Sequence, residues 1–143
     1  MNARAVIYPA AILLVAGGVY LFSKPDAPPP APQTSAGTAM VAVTLPDTLA
    51  GKAALGKAAF EANCASCHGK DAAGHLGKGP PLVHRIYEPG HHGDTAFLMA
   101  ANRGVQAHHW EFGNMPPVDG LTKADIANIV AYIRELQREN GIE

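Results

Sequence analysis

The clearest periodic pattern of apolar residues lies near the C-terminus of the chain. Thr122 and Asp125 approximate a capping box, and an apolar residue then recurs every three or four positions until Gly141. The apolar positions are Ile126, Ile129, Val130, Ile133 and Leu136. This pattern predicts an amphipathic helix with one buried face.

Two further helices are predicted upstream. Residues 51–63 are rich in Ala, Leu and Lys without proline, and a shorter helix is expected to start at Asp94 as N-cap and end at Gly104. The apolar side of the first comprises Leu55, Ala58, Ala59 and Ala62. No segment alternates as a strand. The Gly- and Pro-rich stretches 69–93 and 113–120 are too long to keep their shape unaided, which indicates that something is packed inside them.

The N-terminal residues have the composition of a membrane span. Residues 5–22 carry no charge and, as a helix, would extend roughly 27 Å, close to the hydrocarbon thickness of a bilayer. We therefore predict a transmembrane anchor, or uncleaved signal, over residues 1–22. Residues 23–26 lack a small-x-small cleavage site, which favours retention. Arg4 precedes the span, which places the N-terminus in the cytoplasm and the rest of the chain outside.

Composition separates a linker from a folded domain. Residues 23–50 are rich in Pro, Ala, Ser and Thr, so we predict a flexible linker there and one domain over residues 51–143. A domain of about 90 residues is only marginally able to bury its own core, and aromatic residues make up just 6% of the chain. A large bound cofactor is therefore expected. The net charge of −1 excludes the basic surface of a nucleic-acid-binding protein.

Both cysteines of the chain fall in one motif, Cys64-Ala65-Ser66-Cys67-His68. C-x-x-C-H is the attachment sequence of c-type haem. The two-residue spacer matches the distance between the two haem vinyl groups to which the thiols add, and the adjacent histidine is placed to bind the iron. We expect one haem c, covalently attached through Cys64 and Cys67.

Three other chemistries use paired cysteines. A structural zinc site needs four ligands, and no second cysteine pair or histidine stands at finger spacing. A thioredoxin-like redox pair needs a strand-helix-strand context, which the pattern does not predict. A structural disulfide gives His68 no role.

The helices flanking this motif carry a family resemblance. Gly56 and Phe60 precede Cys64 at four-residue intervals, and Ile129 and Tyr132 lie on the C-terminal helix. In these positions and the motif, residues 51–138 resemble the class I c-type cytochromes, here in a mono-haem, membrane-anchored bacterial form. The resemblance implies an all-α fold of three to five helices wrapped around one covalently bound haem. Glycine at position 56 would let the two helices approach closely.

The resemblance also implies further cofactor-binding residues. Residues 79–82, Gly-Pro-Pro-Leu, are similar to the family's Gly-Pro-x-Leu segment, whose proline carbonyl accepts a hydrogen bond from the ligating histidine. Pro80 would thus orient His68 and fix its tautomer, and Leu82 would pack against the haem face. Arg85, Tyr87 and Trp110 are expected to donate hydrogen bonds to the haem propionates, although ordinary packing is an equal alternative.

The sixth iron ligand implied by the resemblance is Met115, in a Met-Pro-Pro loop before the last helix. The metal ligands are then His68 and Met115, a pair that raises the reduction potential. Met99 is the rival, but a core position is expected for it. His108 or His109 is a further alternative. The four remaining histidines are predicted to be surface residues: His75, His84, His91 and His92. The same is expected of His108 and His109 unless one of them binds the iron.

Together these features predict an electron carrier and not an enzyme, with no catalytic residue. It would shuttle single electrons between respiratory complexes, from a quinol:cytochrome c oxidoreductase to a terminal oxidase or another reductase. We expect a single-pass protein of the cytoplasmic (inner) membrane with its haem domain facing the periplasm. Two alternatives remain open: an electron-transfer subunit of a larger oxidoreductase, and a haem enzyme or gas sensor with an open iron site.

Overall fold

The computed structural model describes residues 37–143, which belong to one compact unit. In this part of the chain there are four α-helices: α1 Gly51–Asn63, α2 Ala65–His68, α3 Asp94–Arg103 and α4 Lys123–Glu139. Short 3-10 helices span Lys70–Ala72 and Arg85–Tyr87. Over residues 37–143 no β-strand forms, and the only ladder contacts are isolated bridges between His75 and Gly79 and between Val105 and Met115. The all-α prediction is confirmed.

The predicted transmembrane anchor, residues 1–22, lies outside the described residues, as does the linker up to residue 36. Among the helices from residue 37 onward, none has the length and apolar character needed to cross a bilayer.

The close crossing of α1 and α4 organises the domain. A Cβ atom added at Gly56 would stand 1.8 Å from the backbone oxygen of Asn128, so only glycine permits this approach. One turn further along, the rings of Phe60 and Tyr132 pack with centroids 5.6 Å apart, and both are fully buried. The crossing therefore places the end of α1, which leads into Cys64, against the middle of α4.

Helix α4 begins as its sequence predicts. The hydroxyl of Thr122 accepts a hydrogen bond from the Asp125 backbone N–H (3.2 Å), and the Asp125 carboxylate accepts one from the Thr122 backbone N–H (2.9 Å). The side-chain and backbone hydrogen bonds from Thr122 lower the pKa of Asp125. All five residues of the predicted apolar stripe are buried.

Two local predictions are wrong. The buried face of α1 is formed by Ala53, Gly56 and Phe60, whereas Leu55 is 65% exposed, because the close crossing selects small residues and turns the larger side chain outward. Asp94 is the first residue of α3 and not its N-cap, since Gly93 occupies that position without a side-chain hydrogen bond. The Asp94 carboxylate pairs instead with Arg134.

The C-terminal boundary predicted for the linker, residue 50, lies too far along the chain. Residues 37–50 lie against the domain: two consecutive backbone N–H groups donate to the Ala73 carbonyl (3.0 and 3.1 Å). Further along, Thr44 and Asn140 exchange two hydrogen bonds of 2.9 Å. Val43 and Leu49 of this segment also pack against the core. The segment is held by backbone hydrogen bonds and these few contacts, which its overall composition does not reveal.

A buried polar network ties α4 to the loop before α3. Arg134, only 8% exposed, donates to the Asp94 carboxylate (2.9 Å) and to the carbonyl oxygens of Tyr87 (2.7 Å) and His92 (2.5 Å). Gln137, fully buried, donates to the Tyr87 carbonyl as well (3.0 Å). These bonds satisfy loop carbonyls that have no helical partner, so the loop has one defined path.

The helix crossing yields a prediction with an unambiguous sign. Ala is a better helix former than Gly by about 1 kcal/mol, yet Gly56→Ala should lower the free energy of unfolding by about 2–3 kcal/mol, because its methyl group collides with backbone. Denaturant unfolding of the haem-loaded protein, followed by circular dichroism, measures this. Gly90→Ala is the control, since a Cβ there meets no atom within 4 Å. Equal stability of the two variants would show that the helices do not touch at Gly56.

Candidate cofactor site

A cavity of about 200 Å³ lies inside the domain, bordered by α1, α3, α4 and the two long loops. Its wall is mainly apolar and includes Phe60, Leu82, Phe97, Ile129 and Ile133. The loops that were expected to need something packed inside them are the ones that border it. The side chains of the helices and loops therefore do not fill the interior of the domain by themselves.

The Cys-x-x-Cys-His motif forms a single helical turn at the edge of this cavity. The backbone N–H groups of Cys67 and His68 both donate to the Cys64 carbonyl (3.1 and 2.9 Å). All three side chains border the cavity, with Cys64 half-buried and Cys67 exposed. Burial, and secondarily the neighbouring Cys67, raises the pKa of the Cys64 thiol to about 11. The motif thus presents two sulfurs and one imidazole to a single space.

His68 is oriented by a backbone carbonyl. Its Nδ1 lies 2.9 Å from the Pro80 oxygen, so Nδ1–H donates and Nε2 is left as the nitrogen available for a metal. Burial lowers the pKa of His68, an effect that the Pro80 hydrogen bond opposes in part. The imidazole is therefore neutral at pH 7, which is the form that binds metals.

The segment carrying Pro80 is held against the motif. A Cβ at Gly79 would lie 2.6 Å from the Cys67 carbonyl oxygen, so glycine permits the approach. The Leu82 N–H donates to the Ala72 carbonyl (2.9 Å), and Leu82 is buried in the cavity wall. The structure thus brings Pro80 and Leu82 to the same cavity as the motif.

Met115 borders the cavity from the loop between α3 and α4. It exchanges two backbone hydrogen bonds of 2.9 Å with Val105, just beyond the end of α3. Gly104 makes this possible, since a Cβ there would lie 2.5 Å from the Met115 carbonyl oxygen and the residue adopts φ +74°. The Asn114 side chain also accepts a hydrogen bond from Ala107 N–H (2.9 Å). The loop is therefore held at Met115 itself and at the residue before it.

The two other methionines among residues 37–143 are placed elsewhere. Met99 is 48% exposed and does not border the cavity, so the expectation of a core position for it is wrong. It lies on the outer side of α3, whose inner side contributes Phe97 and Ala100 to the cavity. Met40 packs beside Gly74, where its sulfur would be 3.0 Å from an added Cβ.

One buried polar atom supports the presence of a ligand with acceptor oxygens. Trp110 borders the cavity, and its Nε1–H is buried with no hydrogen-bond partner at normal geometry, the only such side-chain atom found in residues 37–143. Burial raises the pKa of Tyr87, and this N–H lies close enough to the Tyr87 hydroxyl to oppose that effect in part. The indole ring is fixed by stacking on Phe112, with centroids 5.9 Å apart. A buried indole N–H without a well-aligned partner, on a residue of an apolar cavity wall, suits the carboxylate of a haem propionate. Tyr87 borders the cavity too, whereas Arg85 is exposed and does not.

Several of the histidines that were predicted to be separate surface residues lie close to one another in the structure. His75 and His84 lie outside the cavity wall, while His108 and His109 border it. The ligating atoms of His91, His92 and His109 all lie within 4.8 Å of one another. The sequence signal was a repeated His-His pair, at 91–92 and 108–109. Spacing along the chain did not reveal the convergence, because the two pairs lie on different loops.

Taken together, the helices, the apolar cavity and the Cys-x-x-Cys-His turn define a small all-α protein built to hold one haem. The sequence profile of the family described as Cytochrome c matches residues 53–137, more than half of the chain, and the protein belongs to this family. It has the class I cytochrome c fold, and covalently attached haem c with electron transfer is the chemistry of that family.

The chain is also similar to a larger curated protein. It is 35% identical over 89 residues to the Cbb3-type cytochrome c oxidase subunit CcoP of Rhodobacter capsulatus. The alignment covers 59% of this chain and 29% of that protein, so the chain spans less than a third of the relative's length.

The backbone pairing of Met115 can be tested apart from any iron bond. Gly104→Ala should speed the amide hydrogen exchange of Val105 and Met115 at least tenfold, because the new methyl group pushes the Met115 backbone away from Val105. Gly120→Ala is a matched control, since that glycine has φ +82° but nothing within 4 Å of a Cβ. NMR-detected exchange of the haem-loaded protein measures the difference. Equal protection in the two variants would contradict the close approach at Gly104.

Proposed function

We propose that this protein is a membrane-tethered, mono-haem electron carrier that shuttles single electrons between respiratory complexes on the periplasmic side. The observation that carries the proposal is the placement of His68, supported by Pro80, and of Met115 on the wall of one apolar cavity. Cys64 and Cys67 would hold the haem covalently, with His68 and Met115 as iron ligands. When bound, haem c supplies reversible one-electron chemistry at its iron.

The residues around the cavity suit electron transfer more than catalysis. The imidazole of His68 is oriented by a backbone carbonyl, and the backbone of Met115 is held by two hydrogen bonds, so the frame around the iron would change little when its charge changes. A thioether opposite an imidazole favours the reduced state and gives a high potential. A haem enzyme or gas sensor would need one of these positions open, so Met115 decides between the two classes.

The cavity reaches the surface where a redox partner can approach. Cys67 and Lys78 are exposed and border it, and so do the exposed His108 and His109. Electron transfer between proteins requires close approach of the two cofactors, and this edge supplies it. We propose a quinol:cytochrome c oxidoreductase as the donor and a terminal oxidase or another reductase as the acceptor.

Replacement of Met115 tests the ligand set. Met115→Ala should lower the reduction potential by on the order of 0.1–0.3 V, within the range over which axial ligands tune haem, and let the ferric protein bind added imidazole. A redox-titrated absorption spectrum measures both effects.

The matched control for that experiment is Met99→Ala. Met99 is on the exposed side of α3 and should leave potential and spectrum unchanged. If the wild-type ferric protein already bound imidazole as readily as Met115→Ala does, an open iron site would replace the carrier proposal.

The tether is supported by the sequence before the domain. We propose that residues 5–22 anchor the chain in the cytoplasmic membrane as a single span, with the haem domain in the periplasm. Because residues 37–50 are fastened to the domain, only residues 23–36 are left as spacer. Fourteen residues of this composition would reach about 20 Å as a loose coil and about 45 Å if extended as polyproline. The domain would stay close to the membrane surface.

A second candidate function is suggested by the relative CcoP, which is by name a subunit of an oxidase. On that alternative the present protein would be a fixed electron-transfer subunit of a larger oxidoreductase, and the spacer would carry no mechanical role. The family match fits both functions equally.

Spacer length separates the shuttle from the fixed subunit. Deletion of residues 25–34 should reduce electron flow through a shuttle at least several-fold, since the shortened chain cannot reach both partners. Oxygen consumption by membranes that contain the variant measures it. Replacement of the same residues by a Gly/Ser sequence of equal length should preserve the flow. Unchanged respiration after the deletion would favour the fixed subunit.

A further inference from the structure

Two pairs of adjacent histidines meet at the edge of the domain. His91 and His92 follow the 3-10 helix Arg85–Tyr87, and His109 comes from the loop that carries Met115. The ring centroids of His91 and His92 are 4.6 Å apart. The ring centroid of His109 lies 5.3 Å from each of these two centroids. We call these three residues the histidine cluster.

One member of the histidine cluster, His92, is held by a hydrogen bond of the kind that supports metal-binding histidines. The Nδ1 of His92 lies 2.6 Å from the Ile86 carbonyl oxygen, so Nδ1–H donates and Nε2 is left free. The His92 carbonyl itself accepts from the buried Arg134. A hydrogen bond from the second ring nitrogen to a backbone carbonyl is the usual support of a metal-binding histidine, since it fixes tautomer and ring direction.

The other two members are exposed rings that can close around an ion. Ligands at 2.0–2.1 Å in a tetrahedral site lie about 3.4 Å from one another. The three ligating atoms of the cluster are already within 4.8 Å, so small rotations of His91 and His109 bring them to that distance. Three imidazoles without a carboxylate select borderline transition metals such as Zn²⁺ and Cu²⁺ over Ca²⁺ and Mg²⁺.

We propose that His91, His92 and His109 bind one divalent transition-metal ion, with solvent in the remaining coordination position. Nearby, His108 stacks on His92 with centroids 6.1 Å apart and forms one side of the site without belonging to the ligand set.

The metal would join two loops that are separate in sequence. His91 and His92 precede α3, and His109 lies between α3 and α4, six residues before Met115. An ion that binds the folded arrangement but not the unfolded chain raises the unfolding temperature. The site is therefore expected to act as a clamp on the loop that presents Met115.

Calorimetric titration of the full-length, haem-loaded protein with ZnCl₂ tests the proposal, provided that the protein carries no polyhistidine tag. One Zn²⁺ per chain should bind, and His91→Gln and His109→Gln should each weaken the affinity at least tenfold. His75→Gln is the control, because His75 is a histidine outside the cluster and should leave the affinity unchanged. Two exposed ligands are tested separately, so a folding defect in one variant does not remove the test.

Two further measurements distinguish this site from other binding. Zn²⁺ should raise the unfolding temperature of the wild type but not of His109→Gln, and Cu²⁺ in the same site should show nitrogen couplings in its EPR spectrum. Equal Zn²⁺ affinity in the wild type and both cluster variants would overturn the proposal. So would a change of the haem absorption spectrum in His109→Gln that matches loss of an iron ligand, since His109 would then serve the haem.

Discussion

The contact between α1 and α4 at Gly56 is the constraint on which the rest of the domain depends. Backbone meets backbone there, so the separation of the two helices has almost no freedom. Two turns beyond Gly56, α1 ends at Asn63 with Cys64 as its C-cap, and on the other side α4 presents Ile129 and Ile133 to the cavity. The position of the cysteine motif relative to the apolar wall follows from this one crossing.

The parts of the cavity wall that the helix crossing does not position are held by hydrogen bonds that involve backbone groups of the loops. The Pro80 carbonyl meets His68, the Met115 backbone pairs with that of Val105, and buried Arg134 holds carbonyl groups of the loop before α3. Each of these contacts has at least one backbone group as a partner, and backbone groups are present whatever side chain a residue carries. The loops can therefore border a cavity that no core side chain fills. A bound haem would supply the missing apolar contacts, in agreement with the small core of the domain.

The sequence predicted features whose cause is local. The boundaries of α1, the capping box of Thr122 and the buried stripe of α4 depend on neighbouring residues, and all three agree with the structure. Cys64, Cys67 and His68 were recognisable because their chemistry requires a fixed spacing. Features that depend on distant contacts were not predicted: the exposure of Leu55, the attachment of residues 37–50, and the convergence of His91 with His109. Each is decided by which segment packs opposite, and one-dimensional periodicity contains no such information.

The same distinction explains why the methionine could be selected from sequence but its support could not. A Met-Pro-Pro loop marks Met115 locally, whereas Gly104 acts only through its contact with the Met115 backbone eleven residues away. Glycine at a helix end ordinarily signals a C-cap, and here it also makes room for the backbone of the loop that carries Met115. Because one residue both ends α3 and permits this contact, the length of α3 and the position of the Met115 backbone are coupled. A shift of the helix end by one residue would move Gly104 away from this loop and block the approach of Met115 to the cavity.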